Sequence, residues 1–393
     1  MPALAVSSPT AHLPLPDPDA LAHSQRLVRH IRAEIEGAGG WIPFSRYMEL
    51  ALYAPGLGYY AAGAAKLGAA GDFITAPEMT PLFGRSLART AAVVLAQSGG
   101  DILELGAGSG RLALDLLGEL TTLAALPQRY CILEVSPDLR QRQQAALAAA
   151  GLADRVTWLD ALPERFTGLI LGNEVLDALP VHLLHWRDGQ VRERGVIWAG
   201  SDADGRFDGS DRPVPAGPLA DLAADLAVAG DYLTEVCPAA AALVASLAGR
   251  LERGALLFID YGFPQREYYH PQRDQGTLRL HYRHHSLDDP FFLPGLADIT
   301  AHVDFSRVAR AGALAGLELL GYTSQANFLM DAGILDRMLE MEPMTPAYLR
   351  AASEVQKLLQ PSEMGESFKA IALGKGLDAN LPGFRRGDRR GAL

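Results

Sequence analysis

The chain has 393 residues, 49% of them apolar, a formal net charge of −11 and a pI near 5.4. That length can bury a large core, as one elaborated α/β domain or as two to three domains. The acidic balance disfavours a nucleic-acid partner, whose phosphates need Lys and Arg, and no apolar run approaches the ~20 residues of a membrane span, so no membrane partner is expected.

Residues 1–24 are rich in Pro and Ala, carry Asp17 and Asp19, and read as a flexible N-terminal tail. They resemble neither a secretory signal nor an Arg-rich transit peptide, so a cytoplasmic, bacterial-type location is expected. Residues 25–100 form an N-terminal helical and lid segment. Leu27, Ile31 and Ile35 repeat at helical spacing, and a second helix is predicted near 81–97. Between them Gly71, Asp72, Thr75 and Glu78 mark a loop that is either a lid over the site or a surface Ω-loop.

Residues 101–181 alternate short apolar strands with helices. Strands are predicted over 102–105, 130–135, 156–159 and 169–172, with a fifth over 255–259. This βαβ rhythm builds a parallel sheet buried on both faces. Residues 182–250 read as an insertion: a hairpin turning at Asp188-Gly189, a Gly/Asp/Pro-rich loop and an Ala-rich helix. Its Trp186 and Trp198 suit a protein-sized acceptor, a homodimer contact or simply hairpin core. Residues 251–376 return to the sheet, with a helix near 304–320 and a last strand near 368–373. Residues 377–393, with Arg385, Arg386, Arg389 and Arg390, read as a flexible basic tail. Cys131 and Cys237 are too few for a disulfide framework or a zinc site and fit a reducing compartment. His281, His284 and His285 lack Asp, Glu or Cys partners at sound spacing, so no metal is expected.

Ligands of parallel sheets bind beyond the carboxyl ends of the strands. After the first strand comes Glu104-Leu105-Gly106-Ala107-Gly108-Ser109-Gly110-Arg111, opening a helix. A dinucleotide fingerprint needs a third small residue where Arg111 stands. The spacing present is Gly-x-Gly-x-Gly preceded by an acid, which suits S-adenosyl-L-methionine, a cationic, phosphate-free cofactor that yields S-adenosyl-L-homocysteine. Gly106, Gly108 and Gly110 admit the ligand close to the main chain, and Glu104 faces its positive end. Glu134, ending the second strand, suits ribose hydroxyls; Asp160, after the third, suits adenine. Gly71, Asp72 and Thr75 of the preceding loop join the expected cofactor set.

Across the crevice stand Asn173, Glu174 and Asp177, the expected catalytic set. Paired carboxylates can grip the planar donor fork of a guanidinium; alternatively Asp177 caps a helix and Glu174 orders a loop. Tyr261 either lines the acceptor channel or packs. His302 and Asp304 either contact the acceptor or cap the helix that starts at 304.

The chain also resembles the MidA-like family, which includes a mitochondrial complex I assembly factor that methylates protein arginine. The resemblance spans about residues 25–375. It rests on Tyr47-Met48, Pro55-Gly56-Leu57-Gly58-Tyr59-Tyr60, Gly71-Asp72-Phe73-Ile74-Thr75-Ala76-Pro77-Glu78, Phe83-Gly84 and the Glu104 to Gly110 loop. Further matches are Asn173-Glu174-Val175-Leu176-Asp177-Ala178-Leu179-Pro180-Val181, Ile259-Asp260-Tyr261-Gly262, Gly276-Thr277-Leu278, the block from Asp298 to Phe305, and Met364-Gly365-Glu366-Ser367-Phe368-Lys369. It implies a Rossmann-like, seven-stranded class I methyltransferase core and a protein arginine acceptor. A methyltransferase acting on a small molecule, and an assembly factor that binds cofactor and partner without methylating, are the alternatives.

Overall fold

Seven short apolar segments form one sheet: β1 (Asp101–Leu105), β2 (Tyr130–Leu133), β3 (Val156–Leu159), β4 (Phe166–Asn173), β5 (Leu251–Phe263), β6 (Glu318–Ser324) and β7 (Phe368–Lys375). The computed structural model describes residues 13–62, 75–201 and 204–393. The spatial order is β3-β2-β1-β4-β5-β7-β6, parallel except for β7, which runs antiparallel to β5 and β6. A two-residue strand, Val303–Asp304, extends the end of β5.

Alternation along the strands feeds two cores. Ile102, Leu169, Leu171, Leu257 and Ile259 face the helix Pro81–Ser98, the helix α1 (Arg111–Thr122) and the helices after β6. Leu103, Ile170, Leu256, Phe258 and Ile371 face α3 (Pro238–Arg250) and α4 (Phe305–Leu314), while α2 (Pro137–Ala149) joins β2 to β3. α3 therefore belongs to the core, through buried Val244 and Leu247, and not to the inserted unit that its sequence position suggests.

The rest of 182–250 folds with the N-terminal segment. Ile42 and Pro43 pair with Val196 and Gly195, and the sheet continues through His182–Arg187 to Tyr232–Val236. The helices Pro18–Gly37 and Phe44–Tyr53 cover it, burying Leu27, Ile31, Ile35 and Tyr47 with Val196, Phe207 and Tyr282. Trp198 packs edge-on against Phe207 at 5.2 Å and Trp186 joins a small cluster around Leu184, so both act as hairpin core.

Three sequence expectations are corrected. Residues 1–24 are not all tail: the first helix starts at Pro18, with Asp17 accepting from the Ala20 amide at 2.8 Å, a cap that satisfies an otherwise orphaned N–H. The helix predicted over 304–320 stops at Leu314; 318–324 is strand β6, buried from Leu320 to Ser324, with Leu320 in one core and Tyr322 in the other. The basic C-terminus is docked. Leu381 and Phe384 are buried, the Phe384 ring stands 5.2 Å from Phe328, and Arg389 pairs with Glu366. His281, His284 and His285 flank a hairpin turn, and among the described residues no group of His, Cys, Asp and Glu is arranged to hold a metal. Phe384→Ala is expected to cost about 3–5 kcal/mol in urea unfolding; a loss under about 1 kcal/mol would mean that the terminus frays.

Candidate active site

The carboxyl ends of β1, β2 and β4 open onto one cavity of about 300 Å³. That volume sits at the lower end of small-molecule sites. Its walls include Glu104, Gly106, Gly108, Glu134, Asn173, Glu174, Asp177 and Thr75, which the sequence had placed in four separate segments. Gly71 and Asp72 lie outside the described residues. Gly110 is set back from the wall at the start of α1.

The glycine loop turns because Gly106, Gly108 and Gly110 all hold φ between +54° and +85°, where a Cβ is disfavoured. Its shape is fixed from two sides. From α2, the buried amide of Gln143 donates to the Gly108 carbonyl at 2.9 Å and to Glu134 Oε2 at 3.0 Å, while its own oxygen accepts from Trp158 Nε1 at 3.0 Å. From the short helix Ala76–Met79, Glu78 accepts a short bond from the Ser109 hydroxyl. Neither Gln143 nor the Ser109–Glu78 contact carries a sequence signal, since each joins segments far apart in the chain.

Glu104 is buried, accepts from the Tyr130 hydroxyl at 2.7 Å, and is pushed up to about 7 by burial despite that bond. Glu134 is also raised by burial, against the Ser136 amide at 2.9 Å and Gln143. Asp160 is displaced from its expected role. It does not line the cavity, is exposed, and is ion-paired to Arg140 at 2.5 Å.

On the opposite wall the chain after β4 makes a sharp turn. Glu174 adopts φ +52°, a left-handed conformation that costs a non-glycine residue roughly 1–2 kcal/mol. The turn is held by Asp260, at the end of β5, whose Oδ2 accepts from the amides of Val175, Leu176 and Asp177 at 3.1, 2.8 and 3.3 Å. In the sequence Asp260 stands out only as part of a matching block at a strand end; here it is the residue that shapes the turn after β4. Burial pushes Glu174 up to about 8, with the Asp177 charge adding to the rise, and Asp177 up to about 6. Asp260 is raised as well, by burial and by its two acidic neighbours. Asn173 Nδ2 donates to Glu174 at 3.0 Å, whereas Asn173 Oδ1 and Asp177 Oδ1 are buried acceptors without donors.

The residues expected on the acceptor side stand behind this wall. Tyr261 lies beside Asp177, which its hydroxyl partly stabilises, and packs edge-on against His302 at 5.1 Å. His302 and Asp304 do not line the main cavity. Both border a separate void of about 20 Å³ with Glu235 and Arg307. Asp304 caps α4 through the Arg307 amide at 3.1 Å, and burial among Arg273, Arg279 and Lys369 lowers His302 to about 4.

Among the described residues on the cavity wall the only cationic side chain is Arg111, and Asp115 already engages it at 2.8 Å. Five carboxylates (Glu78, Glu104, Glu134, Glu174 and Asp177) thus face a space without a cation of its own. Buried charge of one sign is costly unless a counter-charge arrives. This set of carboxylates therefore fits a positively charged ligand such as S-adenosyl-L-methionine.

The chain matches the S-adenosyl-L-methionine-dependent methyltransferase family model over residues 84–323. The mitochondrial protein arginine methyltransferase NDUFAF7 of Danio rerio is 31% identical, over 89% of this chain and 87% of its own length. Its Homo sapiens counterpart is 30% identical, over 88% and 83%. A crystal structure from Burkholderia thailandensis, bound to S-adenosyl-homocysteine, is 52% identical and superposes with a TM-score of 0.93, covering 97% of this chain and 100% of that one. The expectation of a cytoplasmic location is corrected by the NDUFAF7 relatives, which are mitochondrial, although the Burkholderia relative is bacterial. The look of the first residues does not fix a compartment.

The raised carboxylates have a consequence for stability. Glu174 keeps its proton to about pH 8 in the fold but loses it near 4.5 when unfolded. The folded state then binds more protons than the unfolded one, so the stabilisation is full below pH 4.5 and is lost as pH rises through 8. The melting temperature of the ligand-free protein is expected to fall between pH 5 and 8.5, and less steeply in Glu174→Gln. Equal slopes in the two proteins would contradict the assignment.

Proposed function

Because this chain belongs to the family of S-adenosyl-L-methionine-dependent methyltransferases, we propose that its methyl acceptor is an arginine guanidinium of a protein substrate. The observation that carries this reading is the grouping of Asn173, Glu174 and Asp177 on one wall of a cavity lined by five carboxylates. A guanidinium brings five N–H donors in a planar fork and a charge that water does not remove below pH 12. It would pair with the carboxyls of this wall and bring charge to Glu174 in one step. The protein arginine methyltransferases among the relatives support the same acceptor.

S-adenosyl-L-methionine supplies a methyl group on a sulfonium leaving group. The chain's task is then to align and to deprotonate. Asp177 and Asn173 fix the plane of the acceptor, so that one nitrogen faces the methyl donor; such positioning is worth on the order of 7–11 kcal/mol. Glu174 accepts the guanidinium proton. Burial holds this carboxyl protonated in the ligand-free chain; beside the cationic cofactor and guanidinium it shifts to the ionised form that can take a proton. The left-handed backbone at Glu174 and the three amides gathered by Asp260 keep that carboxyl in place. Among the described residues, the helix Ala76–Met79 meets the glycine loop through Glu78.

The test is Glu174→Gln with labelled cofactor and a lysate from cells lacking the enzyme, read by mass spectrometry. Wild type is expected to label arginine on protein. The variant is expected to lose at least about 100-fold in turnover with S-adenosyl-homocysteine affinity changed by less than about threefold. Label on lysine, on a carboxylate or on a small molecule would overturn the arginine acceptor; undiminished turnover would remove Glu174 as the base.

A further inference from the structure

Two tyrosines on the cavity wall have no part in holding the cofactor or moving the proton. Tyr53 ends the helix Phe44–Tyr53 and Tyr60 follows the turn after it. Both precede residue 84, where the methyltransferase family match begins, so they are contributed by the N-terminal unit and not by the shared sheet. Both line the same cavity as Asn173, Glu174 and Asp177.

Their rings are stacked, with centroids 5.5 Å apart and planes 20° from parallel. Each hydroxyl is tied elsewhere. Tyr53 donates to the Ala178 carbonyl at 2.9 Å, inside the acidic loop itself, and Tyr60 donates to Asp298 Oδ2 at 2.9 Å. Burial, reinforced by the charges of Asp298 and Asp177, raises both phenols above their ordinary range, so neither serves as an acid. Rings anchored in this way, with their donors spent, give the cavity chiefly π surface. Such surface attracts cations, and it suits a guanidinium best because that group is flat and weakly hydrated.

We infer that the Tyr53–Tyr60 pair is the acceptor-recognising wall of the site, taking the flat face of a guanidinium while Asn173, Glu174 and Asp177 take its edge. This rests on the arginine reading given above. The two surfaces together discriminate. A lysine ammonium satisfies carboxylates but has no plane to lay on a ring, whereas a guanidinium uses both. The pair is therefore a specificity element built onto the methyltransferase sheet. The Tyr53 bond to Ala178 holds ring and acidic loop in one register.

The test uses the full chain loaded with S-adenosyl-homocysteine, with N-acetyl-arginine amide and N-acetyl-lysine amide as probes in saturation-transfer NMR titrations. Wild type is expected to prefer the arginine probe about tenfold. Tyr53→Leu is expected to lose that preference, with S-adenosyl-homocysteine affinity within about twofold. Tyr53→Phe, which keeps the ring and loses only the bond to Ala178, is expected to keep most of it, and its melting curve controls for folding. Arginine binding unchanged in Tyr53→Leu, or lost equally in Tyr53→Phe, would overturn the inference. If Glu174→Gln weakens the arginine probe while Tyr53→Leu does not, the aromatic wall falls and the arginine reading stands. If wild type shows no preference for arginine, both fall.

Discussion

Buried negative charge without an internal partner is the constraint on which this structure turns. The ends of three neighbouring strands, and the short helix over them, bring five carboxylates to one small cavity, and a sixth, Asp260, supports them from behind. A folded protein tolerates such a cluster in two ways. It can hold some of the groups protonated, or it can recruit cations from outside. The raised values of Glu104, Glu174 and Asp177 show the first solution at work in the ligand-free chain. The second solution is the chemistry: a sulfonium-bearing cofactor on one side and a cationic acceptor on the other.

The fold gives the two sides different builders. The sheet supplies one side of the cavity through the glycine loop, Glu104 and Glu134, placed by strand ends, with Gln143 bracing the loop and Glu134. The other side is composite. Its acids come from the turn after β4, but Tyr53 and Tyr60 come from a unit in which residues 18–53 and the strands of 182–236 share one core. The Tyr53 bond to Ala178 joins the units at the cavity itself. A family built on a common cofactor sheet can change acceptors by changing such an added unit, without touching the strands.

Much of this was legible in the sequence, because local rules and distant contacts are not equally visible. Strands β1 to β5 announce themselves as short apolar runs, and the acid-glycine pattern after β1 separates a cationic cofactor from a dinucleotide. Glu174 and Asp177 were readable from their place after a strand. Gln143, Ser109 and the stacking of Tyr53 on Tyr60 were not: each acts through a partner 15 or more residues away or through a ring contact that no spacing encodes, as Gln143 to Trp158 and Ser109 to Glu78 illustrate. Strand β6 was read as helix because Leu317, Leu319 and Leu320 continue the apolar content of α4, and only the pairing with β7 reveals a strand. The C-terminus misled by composition. Its arginines are exposed as a tail's would be, but Leu381 and Phe384 anchor it to the core. Asp160 followed the usual placement of an adenine contact, and Arg140 claims it instead.

The central claim is that the acid cluster exchanges protons for ligand cations. Calorimetric titration of S-adenosyl-L-methionine at pH 7.0, in buffers of different ionisation enthalpy, counts the protons that move on binding. Net proton release is the predicted result, since a cation beside Glu104 and Glu174 lowers their pKa values toward the ordinary carboxylate range. Proton uptake, or no exchange at all, would mean that these carboxyls do not face the ligand and would contradict the account.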